Sequence, residues 1–484
     1  MLPTLNNDVL VTIYALCDNA SRLELSSVSR GIRAATLPFV YRSIKLTERN
    51  EGLLEMLAVG SPLATFVRTL RVTSTLPAIR DAQGQDITAA STAAALATMP
   101  YLQELVFEWD DMLNVDEVVH AVVALSQLRT LRIHKTSSDT LEALLLGLRP
   151  LEHLQITVQR YFMEAEYSGW VTTALADLLR RSAATLHRVS LTKATWNAVG
   201  NILSASDPCT WPRVETLSVI GAAHASFVAH AFPNVRIVTA TFEAVMAIRG
   251  LDVWPNLEVL AMVLLDDRAV ASPEQQPNDS DRPRTLPRHV NLDLSDPAVV
   301  VSVGSYLGRL LESFGGHKVT TLRISKADAS ETRFIFGDLS EHCPRLQCLA
   351  VDFVAEEARE TLGVLDVISE SEFSGLQHLR FFSIWWRRCS WRWSIDSRET
   401  FEKFGNGVRD VGQVLKALRV VQFCEDRTIG SWQRDSGASC DAWTFHQGAS
   451  LIPMHGIMAL AAMVDAVDER KGEEASSTSS CSPS

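Results

Sequence analysis

One short pattern, apolar-x-x-apolar-x-apolar, recurs along the 484 residues and constrains the fold more than any other feature of the sequence. Its clearest copies are carried by Val67, Leu70 and Val72; by Leu102, Leu105 and Phe107; by Leu128, Leu131 and Ile133; and by Leu151, Leu154 and Ile156. It continues at Leu186, Val189 and Leu191, at Val214, Leu217 and Val219, at Val235, Val238 and Ala240, and at Leu257, Leu260 and Met262. Later copies begin at Val319 and Leu346, and weaker ones at Leu379 and Leu418. The copies at 102, 128 and 151 start 26 and 23 residues apart, whereas 62 residues separate those at 257 and 319, a gap that predicts a damaged copy or an insertion.

The period-2 ending of each copy is that of a short strand with one buried face. Between copies the spacing changes to steps of three and four. Val115, Val118, Val119, Val122 and Leu125 form one helical stripe, Leu141, Leu144, Leu145 and Leu148 a second, Val171, Leu175, Leu178 and Leu179 a third, and Val303, Leu307, Leu310, Leu311 and Phe314 a fourth. Asn114 and Glu117 have the spacing of a cap and its capping partner at the first of these helices. A strand–loop–helix unit cannot bury its own apolar face, so stacked neighbours must do it. The expected fold class is therefore α/β: a curved, mostly parallel sheet with helices on the convex side. A conventional α/β domain with similar strand starts is the competing architecture. In the stacked form Arg132, Gln155, Ser190, Ser218, Arg323 and Ser383 face away from the core and line the concave surface where solenoids take ligands. As plain solvated polar residues they would need no ligand.

The pattern resembles the leucine-rich repeat family. It departs from it where Asp110, Thr136, Gln159 and Ala194 stand in place of the family's Asn or Cys, so the repeat is degenerate.

The first 46 residues have a different texture. Val9, Leu10, Ile13 and Leu16 mark one short helix, and Leu23, Leu25, Val28 and Ile32 a second, with Ser21 and Glu24 at capping-box spacing. Pro38 suits the first turn of a third. About 40 residues with apolar stripes are marginal alone and need a partner, or the following domain, to cover them. The run from Leu5 to Leu16, followed by Leu23, Leu25, Val28, Ser29, Arg30, Ile32 and Arg33, resembles an F-box. The segment Leu37–Leu46 looks like the continuation found in many fungal F-box proteins. Asn6 stands where the family usually has Pro, and Ile32 where many members have Trp. The resemblance implies the substrate-recognition subunit of a cullin–RING (SCF-type) ubiquitin ligase. The F-box would dock on a Skp-family adaptor, and through it a cullin, with Leu5, Val9, Leu10, Ile13, Leu16, Leu23, Leu25 and Val28 at the contact. The solenoid would hold an unknown protein target. Catalysis would be by proximity, with no nucleophile from this chain. Two alternatives stay open: the same leucines would also suit a helical cap sealing the first repeat, and the whole chain would suit a leucine-rich scaffold without ubiquitin transfer.

Composition sets the remaining bounds. With 46% hydrophobic and 21% charged residues the chain can bury a large core. A net charge of −12 argues against bulk binding to nucleic acid or to an anionic membrane. No apolar run reaches the roughly 18–20 residues of a membrane span. The start, Met1 to Asp8, lacks a basic stretch followed by a long apolar one, and the eight Cys contain no CxxC. Cytoplasm or nucleus is the expected location. No phosphate loop, zinc-ligand spacing or GxSxG elbow is present, so the expected reading is no enzyme, no metal and no cofactor. The most unusual run, residues 385–393, packs Trp385, Trp386, Trp391 and Trp393 with three Arg. It reads either as the cover of an open solenoid end or as a target contact, with Trp385 and Trp386 foremost. Residues 47–424 are thus expected to be the solenoid, with a disordered insertion at 266–288. Residues 425–468 would be a C-terminal cap containing a helix near 457–467, and 469–484 a disordered tail.

Overall fold

The computed structural model describes residues 7–17, 19–47, 50–73, 88–108, 115–134, 141–157, 169–191, 196, 199–203, 209–219, 225–241, 244–245, 251–263, 286–293, 303–354, 358–369, 373, 375–386, 398–424, 428–434 and 442–447. The chain divides into two compact units, Met1–Asn234 and Val235–Ser484.

The first unit opens with three short helices, α1 (Asn7–Leu16), α2 (Asn19–Val28) and α3 (Arg30–Val40). Strands β1 (Ser43–Leu46), β2 (Thr69–Val72), β3 (Glu104–Phe107), β4 (Thr130–His134), β5 (His153–Thr157), β6 (Arg188–Leu191) and β7 (Thr216–Val219) follow. Each pairs with the next, always in parallel. The register is set by the repeated pattern: Leu70, Leu105, Leu131, Leu154, Val189 and Leu217 lie opposite one another in turn. These residues, with Val72, Phe107, Ile133, Ile156, Leu191 and Val219 two places on, are buried. A one-residue slip in any strand would move its whole apolar set to the other face.

The helices of this unit, α4 (Glu51–Ala58), α5 (Thr88–Ala97), α6 (Asp116–Val123), α7 (Leu141–Gly147) and α8 (Gly169–Arg181), each pack on the next. Their stripes, such as Val118, Val119 and Val122 or Leu175, Leu178 and Leu179, are buried.

A main-chain rule joins successive copies. In most copies the carbonyl of the second residue accepts from two consecutive N–H groups of the next. Arg68 O takes Gln103 N and Glu104 N, Gln103 O takes Arg129 N and Thr130 N, and Arg129 O takes Glu152 N and His153 N. Helix ends are tied across copies as well. Thr98 Oγ1 donates to Leu57 O at 3.0 Å, and the Arg181 guanidinium donates to Leu148 O at 2.6 Å and Leu145 O at 2.9 Å. The buried Trp211 donates Nε1 to Leu179 O at 2.8 Å and stacks on Phe232 at 5.0 Å.

The same rule identifies a copy that precedes the expected array. Arg42 O accepts from Arg68 N and Thr69 N, so Tyr41, Ile44 and Leu46 carry the first copy and the ladder starts at residue 43 rather than 47. Three local expectations are corrected. The N-cap of helix α6 is Val115, which makes no side-chain cap hydrogen bond, and the expected cap Asn114 lies outside the described residues. Ser21 lies within α2, which begins at Asn19. Pro38 sits near the end of α3, where Ser29 is the cap and accepts from Ile32 N at 3.2 Å.

The second unit repeats the plan. Strands β8 (Ile237–Thr241), β9 (Val259–Val263), β10 (His289–Asp293), β11 (Thr321–Asp328), β12 (Cys348–Val354), β13 (Phe381–Trp386) and β14 (Val420–Cys424) pair in parallel in chain order. Two antiparallel strands, β15 (Thr428–Arg434) and β16 (Trp443–Gln447), extend the edge beyond β14. Helices α10 (Val303–Phe314), α11 (Thr332–His342), α12 (Ala358–Ile368) and α13 (Arg398–Val414) pack in sequence, after a short α9 (Ala225–Ala231) that belongs to the first unit.

Strand β10 fills the 62-residue gap. Arg288 O accepts from Thr320 N and Thr321 N, which makes Pro287, Val290 and Leu292 the missing copy. Its first apolar position is a proline, so the pattern did not reveal it. The expected insertion at 266–288 therefore overlaps an ordered approach: Leu286 and Pro287 are buried. Residues 266–285, the helix near 457–467 and the tail 469–484 lie outside the described residues.

Candidate functional site

Helices α1 and α2 both rest on α3. Their shared core is small. Tyr14 and Ile32 are buried, with Leu25, Ala35 and Phe39 packed against them and the Tyr14 and Phe39 rings 5.9 Å apart. Arg22 Nε donates to Tyr14 O at 2.8 Å, and Thr36 Oγ1 donates to Ile32 O at 3.0 Å. The Tyr14 hydroxyl is buried without a hydrogen-bond partner among the described residues, and burial, then Cys17, pushes its pKa up.

The rest of the apolar set faces outward. Val9 is 44% exposed, Ile13 37%, Leu16 84%, Leu23 57% and Val28 58%. Val9, Ile13 and Leu16 lie at i, i+4 and i+7, one face of α1. Val11, which lies off that spacing and was not among the expected contact residues, is exposed as well. Leu25 differs from the other predicted contact residues: it is half-buried against Tyr14 and Ile32 and holds the helices together. Leu5 and the side chain of Leu10 lie outside the described residues. Small helices that turn most of their aliphatic side chains to water present an exposed apolar patch of the kind that marks an interaction surface.

The strand face opposite the helices is charged in the first unit. Arg132, Gln155 and Ser190 are half-exposed on it. Arg132 pairs with Glu104 at 3.1 Å, and Arg71 pairs with Glu108. Burial lowers the pKa of His134, against Glu108, which raises it; burial and then Arg188 lower that of His153.

Two predicted surface residues do not reach solvent. Ser218 and Ser383 are buried. On Ser383 the cause is plain: Trp385 lies on the same face and donates Nε1 to Ser383 Oγ at 2.6 Å. Arg323 stacks over that indole at 5.2 Å, reaching across the small Ala350 of β12. Trp385 is thus engaged with its own chain. The side chain of Trp386, and residues 387–397, lie outside the described residues. In the second unit this face is partly apolar, with Val259, Cys348, Ala350 and Val420 buried and Ile237 and Phe381 packed on them.

Cys343 and Cys348 are buried, and burial pushes both thiols up to about 12. No group of three or more His, Cys, Asp or Glu is placed to hold a metal ion among the described residues. No described helix is long and apolar enough to cross a membrane.

Both units are thus α/β arrays of mostly parallel strands with helices, the layering of a repeat solenoid. No protein-family model matches the chain, and no curated protein matches it. Among solved structures it is similar to the complex of Rad7 and Elc1 in yeast, at a TM-score of 0.31 and 13% identity, over 82% of this chain and 93% of that one.

Proposed function

We propose that the chain is a substrate-recognition subunit of a cullin–RING (SCF-type) ubiquitin ligase. Helices α1 and α2 dock on a Skp-family adaptor, and the repeat array holds a protein target. The observation that carries this reading is the outward row Val9, Ile13, Leu16, Leu23 and Val28, on helices whose own core is only Tyr14, Ile32 and their neighbours. Covering such side chains removes apolar surface from water at about 25 cal/mol per Å². The chain's part in ubiquitin transfer is then tethering: a bound target meets the charged conjugating enzyme at high effective concentration.

The test is co-purification with a Skp-family adaptor. The wild-type chain is expected to retain the adaptor through size-exclusion chromatography. The double variant Ile13→Asp/Leu16→Asp, altered only at exposed positions, is expected to lose it with an unchanged circular dichroism spectrum. A wild-type chain that leaves the adaptor behind at micromolar concentration would overturn the ligase reading in favour of a scaffold without ubiquitin transfer.

A further inference from the structure

The strand face opposite the helices differs between the two units. In the first unit Thr130, Arg132, His153, Gln155, Arg188 and Ser190 stand on it and are half-exposed or exposed, although Val106 and Ser218 are buried. In the second unit polar residues at the same positions are closed off. His289 on β10, Thr321 on β11, Asp352 on β12, Ser383 on β13, Gln422 on β14 and Ser431 on β15 are all buried. Trp385 covers Ser383, but it stands two strands from Thr321 and three from His289.

The apolar residues of this face show what kind of cover it has. Val259, Cys348, Ala350 and Val420 form one packed cluster with Ile237 and Phe381. Yet Val259 is on β9 and Cys348 on β12, three strands apart, which is about 14 Å at the spacing of paired strands. Side chains touch only within about 4.5 Å, and the polar His289 and Thr321 stand between these two. Apolar atoms from outside the sheet therefore complete the cluster.

One run of this unit has the composition for that cover. Of the seventeen residues 451–467 only Asp465 is charged at neutral pH, and Leu451, Ile452, Ile457, Leu460, Val464 and Val467 are aliphatic. By contrast, 266–285 has Val270 and 387–397 has Ile395 as the only aliphatic residue larger than alanine. The nine residues 294–302 are spent in joining β10 to α10. The reach also fits. Strand β16 ends at Gln447, two strands beyond β14 in the same sheet. Four residue steps from Gln447 to Leu451 cover up to about 13 Å, more than two strand spacings. As a helix, 451–467 would run about 25 Å, and β9 to β14 is about 24 Å across.

We propose that residues 451–467 lie across the strand face of the second unit, from β14 toward β9, and close it. The first unit then carries the strand face that is open to a ligand, and a ligand of the second unit must displace this segment. The inference concerns Val235–Ser484 alone and needs no adaptor, so it survives or fails separately from the ligase reading.

The test uses Cys348, a buried thiol on the closed face, with Cys343, the buried C-cap of α11, as its control. The full-length chain is treated with iodoacetamide at pH 8 and alkylation of each thiol is followed by peptide mapping. The variant Ile457→Asp/Leu460→Asp/Val464→Asp places three charges on one stripe at helical spacing. It is expected to speed alkylation of Cys348 at least about tenfold and to leave Cys343 as in the wild type. The variant Trp391→Asp/Trp393→Asp, in the run 387–397, is expected to leave both thiols protected. A Cys348 that stays protected in the first variant, or is opened equally by the second, would overturn the proposal. Loss of protection at both thiols would mean that the unit has unfolded, and a cysteine scan of 451–467 in the otherwise unaltered chain then decides. Under mild oxidation at least one scanned position is expected to form a disulfide with Cys348. A scan in which none does would overturn the proposal.

Discussion

Replacement of Trp211 tests how the first unit is held together. The indole is fully buried, stacks on Phe232, and donates Nε1 to the carbonyl of Leu179 at the end of α8. Phe232 in turn meets Trp196 edge-on at 5.9 Å, and Trp196 donates Nε1 to Ser218 O at 2.7 Å. Trp211→Phe keeps a ring on Phe232 but removes the donor and part of the volume. Leaving the Leu179 carbonyl unsatisfied and the lost area together should cost about 2–3 kcal/mol. Trp211→Ala removes the ring as well and should cost about 4–6 kcal/mol, a large part of the roughly 5–15 kcal/mol that holds an ordinary domain folded. Repeat arrays lose stability locally, through nearest-neighbour contacts. Urea titration followed by circular dichroism gives the overall cost. Hydrogen exchange gives its place: amides of β6 and β7 should exchange faster, and those of β2 and β3 should change least. A Trp211→Phe chain within about 0.5 kcal/mol of the wild type would refute the reasoning, because an orphaned carbonyl at a packed helix end would not be that cheap.

Two further outcomes follow from burial. His134 and His153 both have folded-state pKa values below the ordinary 6.5, with burial as the first cause, so the folded state binds protons less readily than the unfolded one. Stability is then full above pH 6.5 and falls as pH drops from there toward the lowered values. The melting temperature of His134→Gln/His153→Gln should depend less on pH between 7 and 5 than that of the wild type; parallel curves would contradict this. Thiols pushed up to about 12 leave Cys343 and Cys348 almost wholly protonated at pH 8, about one thiolate in 10⁴. Peptide mapping after iodoacetamide should find Cys17 and Cys209 alkylated first and Cys343 and Cys348 only after guanidinium. Equal labelling in the native chain would count against their burial.

The strands were legible because one rule repeats. Leu70, Leu105, Leu131 and Leu154 share a position in the pattern and a position in the sheet. Strand β10 was not, since Pro287 replaces the aliphatic that opens the other copies and polar sequence precedes it. Strand β1 carries the pattern in full, but its closeness to the N-terminal helices drew it into their segment. The capping signals misplaced the helix starts: the N-cap of α6 is Val115, which makes no side-chain cap hydrogen bond, and α2 already begins at Asn19, so Ser21 lies inside it. The outward apolar face of α1 was visible in its spacing. The inward turn of Leu25 depends on α3 and could not be seen from α2 alone. Likewise, whether a polar strand residue meets water depends on its neighbours, and Ser383 is covered by Trp385 two places on.

Hydrogen–deuterium exchange of the full-length chain with and without a Skp-family adaptor bears most directly on the docking role of the N-terminal helices. Protection confined to residues 7–28, with the repeat strands unchanged, is the expected result. An adaptor that protects only the repeat strands, or nothing at all, would contradict it.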